Sequence, residues 1–121
     1  MKTPDEVKAA FRDEHFHVFK ELGVYHWVAG GALVSVFLNE PARDIDYFFP
    51  DQNSANLALD LMLKRGFRII ATEKDHHVVE KSGRVIDIFH RGEAPQETIA
   101  LFDYEHVCAA IDSELNLYQH D

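Results

Sequence analysis

The stretch "VAGGALVSVFLNEPARDIDYFF", residues 28–49, decides how this chain is read. The run "VYHWVA", 24–29, is rich in β-branched and aromatic residues and reads as a strand. It meets Gly30 and Gly31, and "ALVSVFLNE" then reads as a short helix ended by Pro41. "DIDYFF", 44–49, reads as the next strand. Side chains alternate along a strand, so Asp44 and Asp46 share one face and Ile45 takes the other. Two unpaired carboxylates at the head of an apolar strand repel and raise one another's pKa. A divalent cation removes that penalty, and Mg²⁺ takes oxygen ligands of this kind together with substrate phosphates. The strand–Gly-Gly–helix junction brings backbone N–H groups close to an anion, because no Cβ blocks the approach and a helix start favours negative charge. A plainer reading stands beside this one. Asp44 caps a strand end, Asp46 pairs with Arg43 or Arg84, and the glycines serve a tight turn.

Working outward, the first element is a helix. Thr3 caps it, Thr3 and Glu6 fit a capping box, and Pro4, Asp5 and Glu6 suit the first turn. Val7, Phe11, Val18 and Leu22 recur at helical spacing until Gly23 ends the run. After the "DIDYFF" strand, Asn53 or Ser54 caps a further helix. Leu57, Leu59, Leu61 and Met62 supply its apolar side, and Gly66 ends it. "FRIIAT", 67–72, is a strand, and "HHVVEKSGRVIDIF", 76–89, is a hairpin turning at Ser82 and Gly83. Pro95 starts a short helix, "PQETIALFD". "HVCAAID" and "LNLYQ" form a closing hairpin around Ser113 and Glu114. The expected fold class is α/β: one domain over 1–121, with a mixed β-sheet flanked by helices.

A third carboxylate completes the pattern. Asp87 lies inside "RVIDIF", where Val85, Asp87 and Phe89 share one face and Ile86 and Ile88 the other. Burying it costs free energy without a partner or a metal, unless it sits at a water-facing hairpin edge. Beside "DIDYFF" it would bring three carboxylates together. With a cation pair and an anion cradle, such a group suits in-line nucleotidyl transfer. His76 and His77 are adjacent, so they face opposite ways, and a solvent-facing pair is the plain expectation. His90 follows the Asp87 strand and is a weaker candidate for contact with a phosphate. Cys108 reads as a small core residue.

The bulk composition narrows the classes. The chain has 121 residues, 46% hydrophobic and 27% charged, with nine Phe, one Cys and a formal net charge of -9. One cysteine excludes an internal disulfide framework and fits a cytoplasmic protein. No apolar run is long enough for a membrane span. The negative charge argues against broad backbone binding to nucleic acid, which relies on Lys and Arg displacing counterions.

Gly30-Gly31, the twelve residues 32–43, and Asp44-Ile45-Asp46 together resemble the signature of the polymerase-beta-like nucleotidyltransferase superfamily. "VAGGALVSVFLNEPARDIDYFF" is most similar to the head domain of its tRNA-nucleotidyltransferase and poly(A)-polymerase branch. "ALFDYEHVCAAID" is similar to a later segment of that branch and of small phage-type nucleotidyltransferases. The resemblance implies a minimal nucleotidyltransferase fold. It implies that Asp44, Asp46 and Asp87 ligate two Mg²⁺ ions and that Gly30 and Gly31 cradle the triphosphate of an NTP. Ser35 would donate a hydroxyl to phosphate or serve packing. The tRNA-type head places an Arg-Asp pair after its glycines where Val34-Ser35 stand here, and the helical domains that choose base and acceptor have no room in this chain. The expected activity is transfer of an NMP from an NTP to an acceptor the sequence does not specify. A small molecule or protein fits better than long nucleic acid, with a protein partner supplying any basic surface. The alternative is an inactive nucleotide-binding or protein-interaction module on the same fold.

Overall fold

The computed structural model describes residues 2–30, 33, 35, 36, 38, 44–90, 94–100 and 109–119. Helix α1 (Pro4–Glu14) begins as the capping box dictates: the Glu6 N–H donates to Thr3 Oγ1 at 3.2 Å and the Thr3 N–H to Glu6 Oε1 at 3.1 Å. The helix does not run on to Gly23 as its spacing implies. It ends at His15, and Phe16–Leu22 winds as a 3-10 segment. With three residues per turn, Phe16, Phe19 and Leu22 come onto one side. Phe16 and Phe19 pack into the core, and the Tyr47 hydroxyl donates to the His15 carbonyl at 2.9 Å, the point where the helix breaks.

Seven strands follow: β1 (Trp27–Ala29), β2 (Asp44–Phe49), β3 (Arg68–Thr72), β4 (His76–Lys81), β5 (Arg84–His90), β6 (Ala109–Asp112) and β7 (Leu117–Gln119). They form one sheet in the order β3-β4-β5-β2-β1-β6-β7. The β2–β5 pair is parallel and the other pairs are antiparallel. The mixed α/β architecture is as the element order implies. The parallel pair requires a crossover, which helix α2 (Gln52–Lys64) and the β3–β4 hairpin provide.

Asp51, rather than Asn53 or Ser54, caps α2, accepting from the Ser54 N–H at 2.7 Å. Ala55, Ala58 and Met62 form its buried side, while Leu57 lies on the outer side, 48% exposed. The small alanines let the helix lie close to β2 and β5, and leucines on the flanks cannot all reach that contact. The β4–β5 turn runs through Ser82 (φ 52) and Gly83 (φ 82), the left-handed pair a two-residue hairpin requires.

The sheet buries one face beneath α1, the 3-10 segment and α2. Ile45, Tyr47, Phe49, Ile86 and Ile88 meet Phe11, Phe19 and Met62 there. The other face is apolar only over part of its area. Trp27, Phe48, Phe89 and Ala110 meet Ile99 of helix α3 (Pro95–Ala100), and Trp27 Nε1 donates to Thr98 Oγ1 at 2.9 Å. The remainder of that face carries the carboxylates.

Candidate active site

Strand register places the acidic residues. In the parallel β2–β5 pair Asp46 stands opposite Asp87, and Asp44 opposite Val85. On the other side of β2, Ala29 stands opposite Asp46. The chain leaves β1 through Gly30, whose φ of +98° is open to glycine and strained for other residues. A Cβ at Gly30 would lie 3.5 Å from Asp46 Oδ2, so this backbone rests directly over the carboxylate. One row across three strands therefore reads Ala29, Asp46, Asp87, with Gly30 at the end of β1 lying over Asp46.

Asp46 and Asp87 interact strongly. Burial, then the charge of Asp87 and a hydrogen bond shared with it, push the Asp46 carboxyl up to about 7, against a smaller opposing influence of His76. Asp87 is raised as well, first by burial, with Asp44 adding to the rise. Two carboxylates held in this way share a proton near neutral pH or take up a cation. Asp44 lies on the same face one step up the strand, is exposed, and acts on both through its charge. Among the described residues no three acidic, histidine or cysteine side chains close into a metal cage. The carboxyl pair is a hard-oxygen donor set of the kind Mg²⁺ takes, and it leaves the remaining positions to water and phosphate.

Of the other residues singled out from the sequence, Ser35 is helical and half-buried, beside buried Leu33 and Val36. Gly31, Val34, Arg43 and Cys108 lie outside the described residues. Arg84 and His90 share the Ile86–Ile88 face of β5, opposite Asp87. Arg84 acts instead on Tyr47 and His15, so it is not the partner of Asp46 that the plainer reading expected.

His76 departs from a solvent-facing pair. Its ring stacks on Phe89 with centroids 4.3 Å apart and planes 20° from parallel, and Nδ1 lies 2.9 Å from Asp75 Oδ1. It is half-buried at the rim of the acidic face, whereas His77 turns the other way toward Thr72. The signal lay in the alternation of β4 against β5. In the antiparallel register His76 stands opposite Phe89, so it shares the Asp87 face. Aromatic stacking continues along this row from Phe89 to Phe48 (4.7 Å, 15°) and from Phe48 to Trp27 (6.0 Å, 11°). It forms a rigid floor one row below the carboxylates.

A family model for the Gabija anti-defense 2 family matches residues 4–121. The chain belongs to this family. No curated protein matches the chain in sequence. In structure it is similar to a tRNA nucleotidyltransferase solved with a primer tRNA and an incoming ATP analog. The TM-score is 0.68 at 16% identity, covering 87% of this chain and 34% of that one. It is also similar to a tRNA-processing enzyme in an apo form, with a TM-score of 0.69 at 17% identity, covering 99% of this chain and 34% of that one. A structure of a tRNA-processing enzyme with CTP gives 0.66 at 17%, covering 86% and 30%. These likenesses establish the nucleotidyltransferase head-domain fold for this member of the family. The chain spans about a third of the length of those enzymes.

Proposed function

We propose that this chain is a Mg²⁺-dependent nucleotidyltransferase that acts against Gabija defence by transferring an NMP from an NTP to a protein side chain or a small molecule. The observation that carries this reading is the register of Asp46 against Asp87, with Gly30 laid over Asp46. In the reaction, an acceptor oxygen forms a bond to the α-phosphorus as the bond to pyrophosphate breaks. Asp46 and Asp87, with Asp44 above them, are the residues that would hold Mg²⁺. The bound ion supplies charge stabilisation for the transferring phosphoryl group. Gly30 and Gly31 would receive the triphosphate through backbone N–H groups, and the Ser35 hydroxyl would donate to a phosphate oxygen. Long nucleic acid is disfavoured as acceptor by the net charge of -9.

Calorimetric titration of each NTP with and without Mg²⁺, on wild type and Asp46→Asn, tests the site. The expected outcome is Mg²⁺-dependent binding that the substitution abolishes, followed by transfer of label from an α-labelled NTP. Binding of no NTP by the wild type removes the nucleotide site altogether. A second reading has its own support. Asp44 is exposed, and among the described residues no three-ligand cage forms. An inactive scaffold that binds a Gabija protein would leave Asp46→Asn fully able to counter the defence.

A further inference from the structure

We propose that the corner formed by strand β3 and the end of helix α2 is the surface on which this protein docks an acidic, apolar-centred face of a Gabija protein. β3 is an edge strand of the sheet, and four of its five residues are exposed, the fifth being half-buried. Ile69 is 43% and Ile70 50% exposed, and Leu63, in the last turn of α2 leading into this strand, is 41% exposed. Large aliphatic side chains left in water on adjoining elements mark an interaction surface more strongly than the same residues scattered singly.

The charge around them is opposite to that of the whole molecule. Residues 64–84 hold six of the chain's twelve lysines and arginines but only three of its 21 acidic residues. Lys64, Arg68 and Lys81 stand at this corner: Lys81 Nζ donates to the Arg65 carbonyl at 2.6 Å and Arg68 pairs with Glu80 at 3.0 Å, while the Arg65 guanidinium turns away to the Val18 carbonyl and Glu21. A local basic field on an acidic protein selects an acidic partner and orients its approach.

The mode of docking follows from the backbone. β3 carries a bulge: Ile69 pairs with Val79 and Ala71 with Val78, so Ile70 has no partner across the ladder. A bulge interrupts the free edge and discourages an added strand, leaving recognition to the projecting side chains. Nucleic acid is a poorer occupant, since isoleucines among the cations offer nothing to a phosphate backbone. A second copy is disfavoured because two basic corners would face each other.

This inference rests on the reading that the protein acts on a Gabija protein directly, and the experiment separates the two. Binding of the purified full chain to purified Gabija proteins is measured by calorimetry for wild type, for Ile70→Asp/Lys64→Glu, and for Glu14→Lys as a surface control. The double variant is expected to bind at least about tenfold more weakly. Its thermal unfolding and Mg²⁺–NTP titration should match the wild type, because β4 separates β3 from the strand of Asp87. A wild type that binds no Gabija protein overturns the direct-action reading and this docking surface with it. A wild type that binds, with a double variant that binds equally, overturns the docking surface alone. So does a wild-type dimer that the double variant dissolves, or competition by a short nucleic-acid duplex.

Discussion

Asp46 is the residue on which the chemistry and the stability of this protein meet. Its carboxyl is pushed up to about 7 by burial and by Asp87, above the ordinary value that holds in the unfolded chain. A carboxylate raised on folding contributes stability that is fully present below the unfolded pKa, near 4, and that is lost as pH rises through about 7. Without metal, Asp46→Asn should therefore be more stable than wild type at pH 8, by on the order of a few kcal/mol, and unfold at a higher temperature, and the gap should close toward pH 4. Scanning calorimetry across that range with chelator present checks the sign. An Asn variant less stable than wild type at pH 8 would show that the pair is not strained. Gly30 carries the neighbouring constraint. Gly30→Ala puts a Cβ 3.5 Å from Asp46 Oδ2 in a conformation of φ +98°. It should cost about 1–3 kcal/mol in denaturant unfolding and weaken NTP binding.

At the scale of elements, a buried carboxylate ties the far edge of the sheet together. Asp112 of β6 accepts from the Tyr25 and Tyr118 hydroxyls, each at 2.9 Å, from the Asn116 amide group, and from the Glu114 and Asn116 backbone N–H groups. Burial pushes its pKa up, but these donors together outweigh it, so the carboxyl lies below the ordinary range. The stability it contributes is present above the unfolded pKa and is lost as pH falls through the lower folded value. Asp112→Ala should cost about 2–4 kcal/mol near neutral pH, with a smaller deficit in acid, read by urea unfolding at two pH values. The pattern "VCAAID…LNLYQ" implied the hairpin, but nothing local in it announces a carboxylate with five donors. Tyr25 lies 87 residues away in sequence. The break of α1 at His15 has the same origin: its partner, Tyr47, lies 32 residues on.

For the whole molecule, composition, periodicity and punctuation are local properties, and they carried most of the element order. The capping box at Thr3, the Ser82–Gly83 turn and the strand "DIDYFF" all stand where spacing and turn chemistry put them. The D-x-D alternation and Gly30 were equally legible, because which face a strand side chain takes depends only on its neighbours. Register is a different matter, since a slip of one residue would turn Asp87 into the apolar core. The parallel pairing of β2 with β5, which sets Asp46 against Asp87 and raises both pKa values, was decided by packing of the apolar faces between α2 and α3. Packing also brought His76 onto Phe89 and left the isoleucines of β3 in water beside the cations. The sequence by itself determined most of the element order, the acidic strand and the place of Gly30 at the end of β1. The tertiary structure alone decided which carboxylates meet, because that depends on contacts between residues far apart in the chain.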